Sequence, residues 1–337
     1  MTTRWARQGL GFALLVGVGL TTTARAQTPA FELPVACAMG EDCFIQNYVD
    51  QDPGPGASDY TCGTLAYDGD RGTDFRVRDY VAMEEGVAVT AAAAGAVLRT
   101  RDGVADVNLR EIGADAVAGK EAGNAVIIDH GGGWETQYSH LRQGSVAVAP
   151  GQRVEVGDRL GLIGLSGNTE FPHVEFAVRH GGEPVDPFVG LAPGTGCGRP
   201  AESLWSVAAQ SQLAYVSTTL LGAGFAAEAP DAERARHGAY RGELTVAAEA
   251  LVFWIDVIGT RAGDVEEITL SGPGGRLIAE AREVHERARA AWFRFAGGRR
   301  PGTAWPEGVY RGRYLLTREV EGATVTVVEV TREVPLD

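Results

Sequence analysis

Two neighbouring stretches decide the fold: GNAVIIDHGGGWETQYSHL, residues 123–141, and PGQRVEVGDRLGLIGLSGNTEFPHVEFAVRH, residues 150–180. In the first, Gly131-Gly132-Gly133 separates Val126–Asp129 from Trp134–Ser139, which predicts a hairpin. In the second, Pro150-Gly151 and Gly157-Asp158 punctuate short β-prone runs. Its last run places His173 and Glu175 two positions apart, so a strand sends both side chains to one face and Val174 and Phe176 to the other. From Val87 to Val178 no segment holds a 3.6-residue period, and the domain reads as mainly β. The interval from Arg99 to Gly123 is longer than an ordinary hairpin loop and has room for a small helix beside a groove.

An imidazole and a carboxylate on one strand face point to a metal site or an acid–base pair. The surrounding residues carry a resemblance. The Y-x-H-L signature at Tyr138–Leu141, the G-x-x-V-x-x-G-x-x-L-G run from Gly151 and the LSGNT loop resemble the lysostaphin-type (LytM-like) zinc metallopeptidases acting on peptidoglycan. The resemblance covers roughly residues 62–190. It implies a β-rich fold of the duplicated-hybrid-motif type with a groove across one sheet. It also implies zinc held by an H-x-x-x-D motif and by the second histidine of an H-x-H motif.

This chain departs from that pattern at two of the three ligands. The first motif falls on DRGTDF, residues 70–75, where Asp74 matches the aspartate ligand and Asp70 stands at the histidine position. The H-x-H motif falls on His173-Val174-Glu175, so His173 matches a catalytic histidine while Glu175 replaces the second ligand histidine. His140 matches the family's other catalytic histidine. The resemblance thus assigns His140 and His173 as catalytic candidates and Asp70, Asp74 and Glu175 as metal candidates. Zinc prefers imidazole and thiolate, and three carboxylates suit a hard divalent cation such as calcium, magnesium or manganese better. Three readings stand. The preferred one is a degenerate peptidase fold that holds zinc weakly or not at all and binds peptidoglycan or regulates a wall hydrolase. The others are an active endopeptidase with a carboxylate-rich site, and a site for a hard cation.

The remaining residues bound the setting. MTTRWARQGLGFALLVGVGLTTTARAQ opens with Arg4 and Arg7, continues through an apolar run from Leu10 to Leu20 and ends in Ala24-Arg25-Ala26, the pattern of a secretory signal peptide over residues 1–26. Its removal takes three arginines and moves the net charge from −14 to −17. So acidic a chain is a poor nucleic-acid binder, and no further segment predicts a stable membrane anchor. Export, with a periplasmic destination, is the expectation. Four cysteines in an exported chain predict disulfides, with Cys37–Cys43 and Cys62–Cys197 as the preferred pairing of three.

The expected organisation is a lead segment at 27–61, the LytM-like domain at 62–198, a linker at 199–238 and a second domain at 239–337. About seven short strands in the last part predict a small immunoglobulin-like β-sandwich, with a helix-prone interruption around Ala279–Ala290. His130 is read as a packed strand-end histidine, His180 as a turn residue, and His237 and His285 as residues in polar surroundings without companion ligands. Tyr138 faces either the groove or the core. The sequence does not identify the cleaved bond, the protein partner or the oligomeric state.

Overall fold

The alternation read from residues 173–180 forms the spine of the first domain. In the computed structural model, which describes residues 1–3 and 28–337, this run is β9 (His173–His180) at the middle of an eight-stranded sheet. The signal-peptide expectation rests on residues that fall mostly within 4–27, outside the described residues. Among the described residues no helix is long and apolar enough to cross a membrane.

The elements of the first domain run β1 (Cys43–Ile45), β2 (Thr73–Val77), α1 (Tyr80–Glu85), β3 (Ala88–Thr90), β4 (Gly95–Arg101), α2 (Leu109–Ile112), β5 (Asn124–Gly131), β6 (Trp134–Leu141), β7 (Arg153–Val154), β8 (Arg159–Leu162), β9 and β10 (Glu183–Val185). The large sheet is ordered β1-β2-β9-β6-β5-β4-β7, with β10 also on β9, and β3 pairs separately with β8. The predicted glycine hairpin joins β5 to β6, with Gly131 opposite Trp134. The long interval before it holds α2.

One sheet face is mainly apolar, with Thr73 and Thr136 its buried polar members. Val174, Phe176 and Val178 of β9 are fully buried and meet Phe31, Phe75, Tyr138 and Trp205 in a single core. Each such side chain contributes roughly 1.5–3 kcal/mol by leaving water. Tyr138 belongs to this core; its hydroxyl accepts the Ala92 N–H at 2.8 Å. The lead segment is part of the same body: Phe31 bridges to Trp205, Val35 to Val89, and β1 extends the sheet. Both preferred disulfides are present, Cys37–Cys43 within the lead segment and Cys62–Cys197 across a separation of 135 residues.

Beyond α3 (Val207–Gln210) lies a second β body. Its elements are β11 (Thr219–Ala226), α4 (Ala232–Arg236), β12 (Ala250–Thr260), β13 (Val265–Ser271), β14 (Leu277–Val284), β15 (Arg289–Arg299), β16 (Gly308–Val320) and β17 (Ala323–Leu336). They form a three-stranded sheet, β11-β12-β15, and a four-stranded sheet, β14-β13-β16-β17. The sheets share one core, in which Leu251, Phe253 and Ile255 meet Ile268, Leu270, Tyr314 and Leu316.

Two expectations differ here. Residues 219–226, within the stretch read as linker, form a strand paired with β12. The run read as helix-prone, residues 279–290, instead falls in β14 and the start of β15. The helix propensity of that Ala-, Glu- and Arg-rich run is outweighed by a ladder with β13 from Val265↔Val284 to Ser271↔Leu277.

Candidate functional site

The five singled-out residues converge on the polar face of the large sheet. Strand β9 lies between β2 and β6, and the register sets Asp74 opposite Glu175 on one side and Ser139 opposite Glu175 on the other. Because alternate residues share a face, His173 and Glu175 point together from β9 and Asp74 joins them from β2. His140 follows Ser139 at the end of β6, and its ring centroid lies 4.7 Å from that of His173.

Each histidine is oriented by backbone. His140 Nδ1 donates to Ser166 O at 2.8 Å, and His173 Nδ1 donates to Phe171 O at 2.9 Å with Thr169 Oγ1 at 3.1 Å. Both Nε2 atoms therefore face the carboxylates: His173 Nε2 lies 3.4 Å from Asp74 Oδ1, and His140 Nε2 lies 4.0 Å from Glu175 Oε2. His140 has a φ of 62°, a left-handed conformation that costs a residue with a Cβ about 1–3 kcal/mol and clusters at functional sites. Two glycines permit the close approaches. A Cβ at Gly123 would lie 2.1 Å from Ser166 O, the carbonyl that holds His140, and one at Gly72 would lie 2.5 Å from Glu175 Cγ.

The electrostatics follow from burial and crowding. Burial and the charge of Asp74 push Asp70 up to about 9, and the same two causes raise Glu175. Burial also pushes Asp74 upward, but the charge and hydrogen bond of His173 and a 2.8 Å bond from Asn47 Nδ2 hold it below the usual carboxylate range. Burial lowers His173, yet Asp74 outweighs it and raises the imidazole above its ordinary value. For His140, burial and the neighbouring His173 charge outweigh the bond to Ser166 O and the charge of Asp74 and take it down to about 3. The two imidazoles are therefore pushed in opposite directions, His173 up by Asp74 and His140 down by burial.

Residues 70–187 match Peptidase family M23. They form an M23 peptidase domain. This chain is 40% identical over 65 residues to the peptidoglycan DD-endopeptidase ShyA of Vibrio cholerae, across 19% of this chain and 15% of that protein. It is 31% identical over 128 residues to the cell division protein DipM of Caulobacter vibrioides, across 35% of this chain and 19% of that protein. A solved zinc-containing peptidase from Vibrio cholerae matches at 26% identity and a TM-score of 0.32, covering 47% of this chain and 39% of that one. The chain thus spans less than a fifth of the length of the two curated relatives.

Family M23 is zinc-dependent, and the residues here do not fit that ion. Of the three donor positions that the resemblance assigns, two carry carboxylates in place of imidazoles. Both oxygens of Asp74, the remaining donor, are engaged, Oδ1 by His173 and Oδ2 by Asn47. Among the described residues no group of three His, Cys, Asp or Glu side chains is arranged to hold a metal.

The M23 site opens into a cleft of about 900 Å³ whose far wall comes from the second β body. Asp74, His140 and His173 line one side, and Glu233, Arg236 and Phe293 the other. The walls are tied at Tyr80, which stacks on His237 with ring centroids 4.0 Å apart and donates its hydroxyl to Glu233 Oε2 at 3.3 Å. Arg241 Nη2 adds a 2.7 Å bond to Asp79 Oδ2.

The other histidines sort as follows. His130 bonds Ala94 O and Thr136 Oγ1 at 2.8 Å each, a strand-end structural role. His180 packs on Trp134. His285 is buried in polar surroundings, with Nδ1 on Thr260 and Nε2 3.4 Å from the buried Glu266. Asn47 and Thr169 steady Asp74 and His173; Thr169 closes the LSGNT loop, whereas Asn47 belongs to no recognisable motif.

Proposed function

We propose that this chain is an exported, periplasmic cell-wall protein whose M23 domain binds peptidoglycan peptides in its cleft without cutting them. The observation that carries this reading is Asp74. The family's surviving metal ligand is engaged by His173 and by Asn47, while carboxylates stand at both other ligand positions. The catalytic candidates His140 and His173 still occupy one face, so the groove retains its shape and polarity while its donors no longer suit zinc. Relatives named as peptidoglycan endopeptidases make wall peptides the natural occupant of such a groove. The second β body acts as the opposite wall of the binding cleft.

The test is cosedimentation of the purified protein with sacculi, alongside release of soluble amino groups, with and without added zinc. The expected result is pelleting with no release. Zinc-dependent release at a rate typical of peptidases would overturn the reading.

A second reading has one observation in its favour. Asp70 Oδ2 is buried with no hydrogen-bond partner, and a hard divalent cation bridging Asp70 and Glu175 would satisfy it. A rise in melting temperature with calcium or manganese, abolished in Asp70→Asn, would favour that site.

A further inference from the structure

Arg76 stands on the same strand face as Asp74, two residues further along β2, and its partner across the ladder is His173. It lines the cleft and is only 3% exposed. Among the described residues its guanidinium bonds only neutral acceptors: Val77 O at 3.1 Å, Gln46 Oε1, and Arg78 O at 3.5 Å. The Phe171 ring, which also stacks on His173, lies 4.8 Å from its centre. The neighbouring guanidiniums differ. Arg236 is paired with Asp256 and Glu233, and Arg110 with Glu170.

An ion taken out of water without a counter-ion is costly, and proteins seldom leave one so unless something else supplies the opposite charge. Burial draws Arg76 down to about 10, which still leaves it charged at neutral pH. Three of its five N–H groups are committed, so two remain for a planar, two-oxygen acceptor. Asp74, Glu170 and Glu233 also line the cleft. Their charges favour a singly charged carboxylate over a dianionic phosphate.

We propose that Arg76 anchors a carboxylate of a peptide lying in the cleft beside His173. This rests on the wall-peptide reading above and adds to it the chemical group that the cleft selects. The peptide runs between the M23 groove and the wall formed by α4 and β15, with its carboxylate taking the two uncommitted N–H donors. The carboxylate is either the chain terminus or an acidic side chain.

The test uses synthetic stem peptides as free acid, C-terminal amide and side-chain amide, titrated calorimetrically into the full mature chain. Sacculus cosedimentation runs alongside. Wild type should bind the free acid at least tenfold tighter than one of the two amides, which also identifies the carboxylate. The decisive variant is Gln46→Glu, which places a permanent carboxylate at the acceptor already holding Arg76 Nη1. It should fold with an unchanged or higher melting temperature and bind acid and amide forms equally and weakly. Arg76→Gln should do the same, and Gln46→Glu carries the test if Arg76→Gln fails to fold. If sacculi pellet the protein but amidation changes nothing, the carboxylate inference falls and the wall-binding reading stands. If amidation weakens wild type and Gln46→Glu alike, Arg76 is not the anchor. If neither sacculi nor free-acid peptides bind, both readings fall.

Discussion

Replacing Asp70 and Glu175 together by histidine should create a zinc site in this fold. Both positions already face Asp74: Glu175 lies directly across the ladder, and the charges of Asp74 and Glu175 both act on Asp70. The double change replaces two acids with neutral imidazoles and so removes the repulsion that helps push Asp70 up to about 9. Zinc at a hundredfold excess over its dissociation constant would stabilise the protein by about 2.7 kcal/mol. For a domain of this size that corresponds to a rise of roughly 5–11 °C in melting temperature. Two costs bring the expectation to the lower end. Asp74 must release His173, now 3.4 Å away, and an imidazole at buried position 70 needs more room than a carboxyl. The assay is differential scanning fluorimetry on dialysed protein over a zinc series, with wild type and both single variants. A rise of about 5 °C in the double variant only is the expected outcome. An equal rise in wild type would show that the carboxylate set is itself a zinc site. No rise in the double variant would remove residues 70 and 175 from the ligand positions.

Three further outcomes are expected. Cys62→Ala with Cys197→Ala opens a loop of 135 residues and should lower stability by roughly 3–5 kcal/mol in urea unfolding monitored by fluorescence. Asp186 is buried, accepts from Gln51 Nε2 at 2.8 Å and is raised by burial to about 7. The folded chain therefore keeps a proton that the unfolded chain releases, and this group's contribution to stability falls as pH rises from about 4 to about 7, then levels. Asp186→Asn should flatten that stretch of the stability–pH curve by roughly 2–4 kcal/mol. Tyr138→Phe leaves the Ala92 N–H buried without its acceptor and should cost about 1–3 kcal/mol in the same unfolding assay.

The first domain was legible because its signals are local. Glycine turns bracket runs of period two, and period two alone brings His173, Glu175 and Asp74 to one face once the strands pair. Arg76 carries the same signal, two residues beyond Asp74, but lies outside the motif, which ends at the aspartate. The second body was harder to read because its decisive information is non-local. TLLGAGFA (residues 219–226) looks like linker until Gly224 is seen against Trp254, where a Cβ would come within 2.9 Å of the ring. The run at 277–284 prefers helix on its own residues and becomes strand because β13 offers it a ladder. His285 gave no hint of burial, since Glu266, the acid that faces it, lies 19 positions earlier in the sequence.

The Cys62–Cys197 link makes the M23 segment a closed ring of chain, with the residues matched to the family, 70–187, wholly inside it. A ring tolerates one break. A protease that cuts the chain once between positions 62 and 197 opens the circle without separating its halves, so β2 and β9, the strands that face each other with Asp74 and Glu175, stay on one molecule. Such a nicked protein gains only the mass of one water and migrates as two pieces only after reduction. Wherever a protease reaches the folded protein, the covalent path between the two sides of the groove is then doubled, and loss of the site takes two cuts or one cut and a reductant.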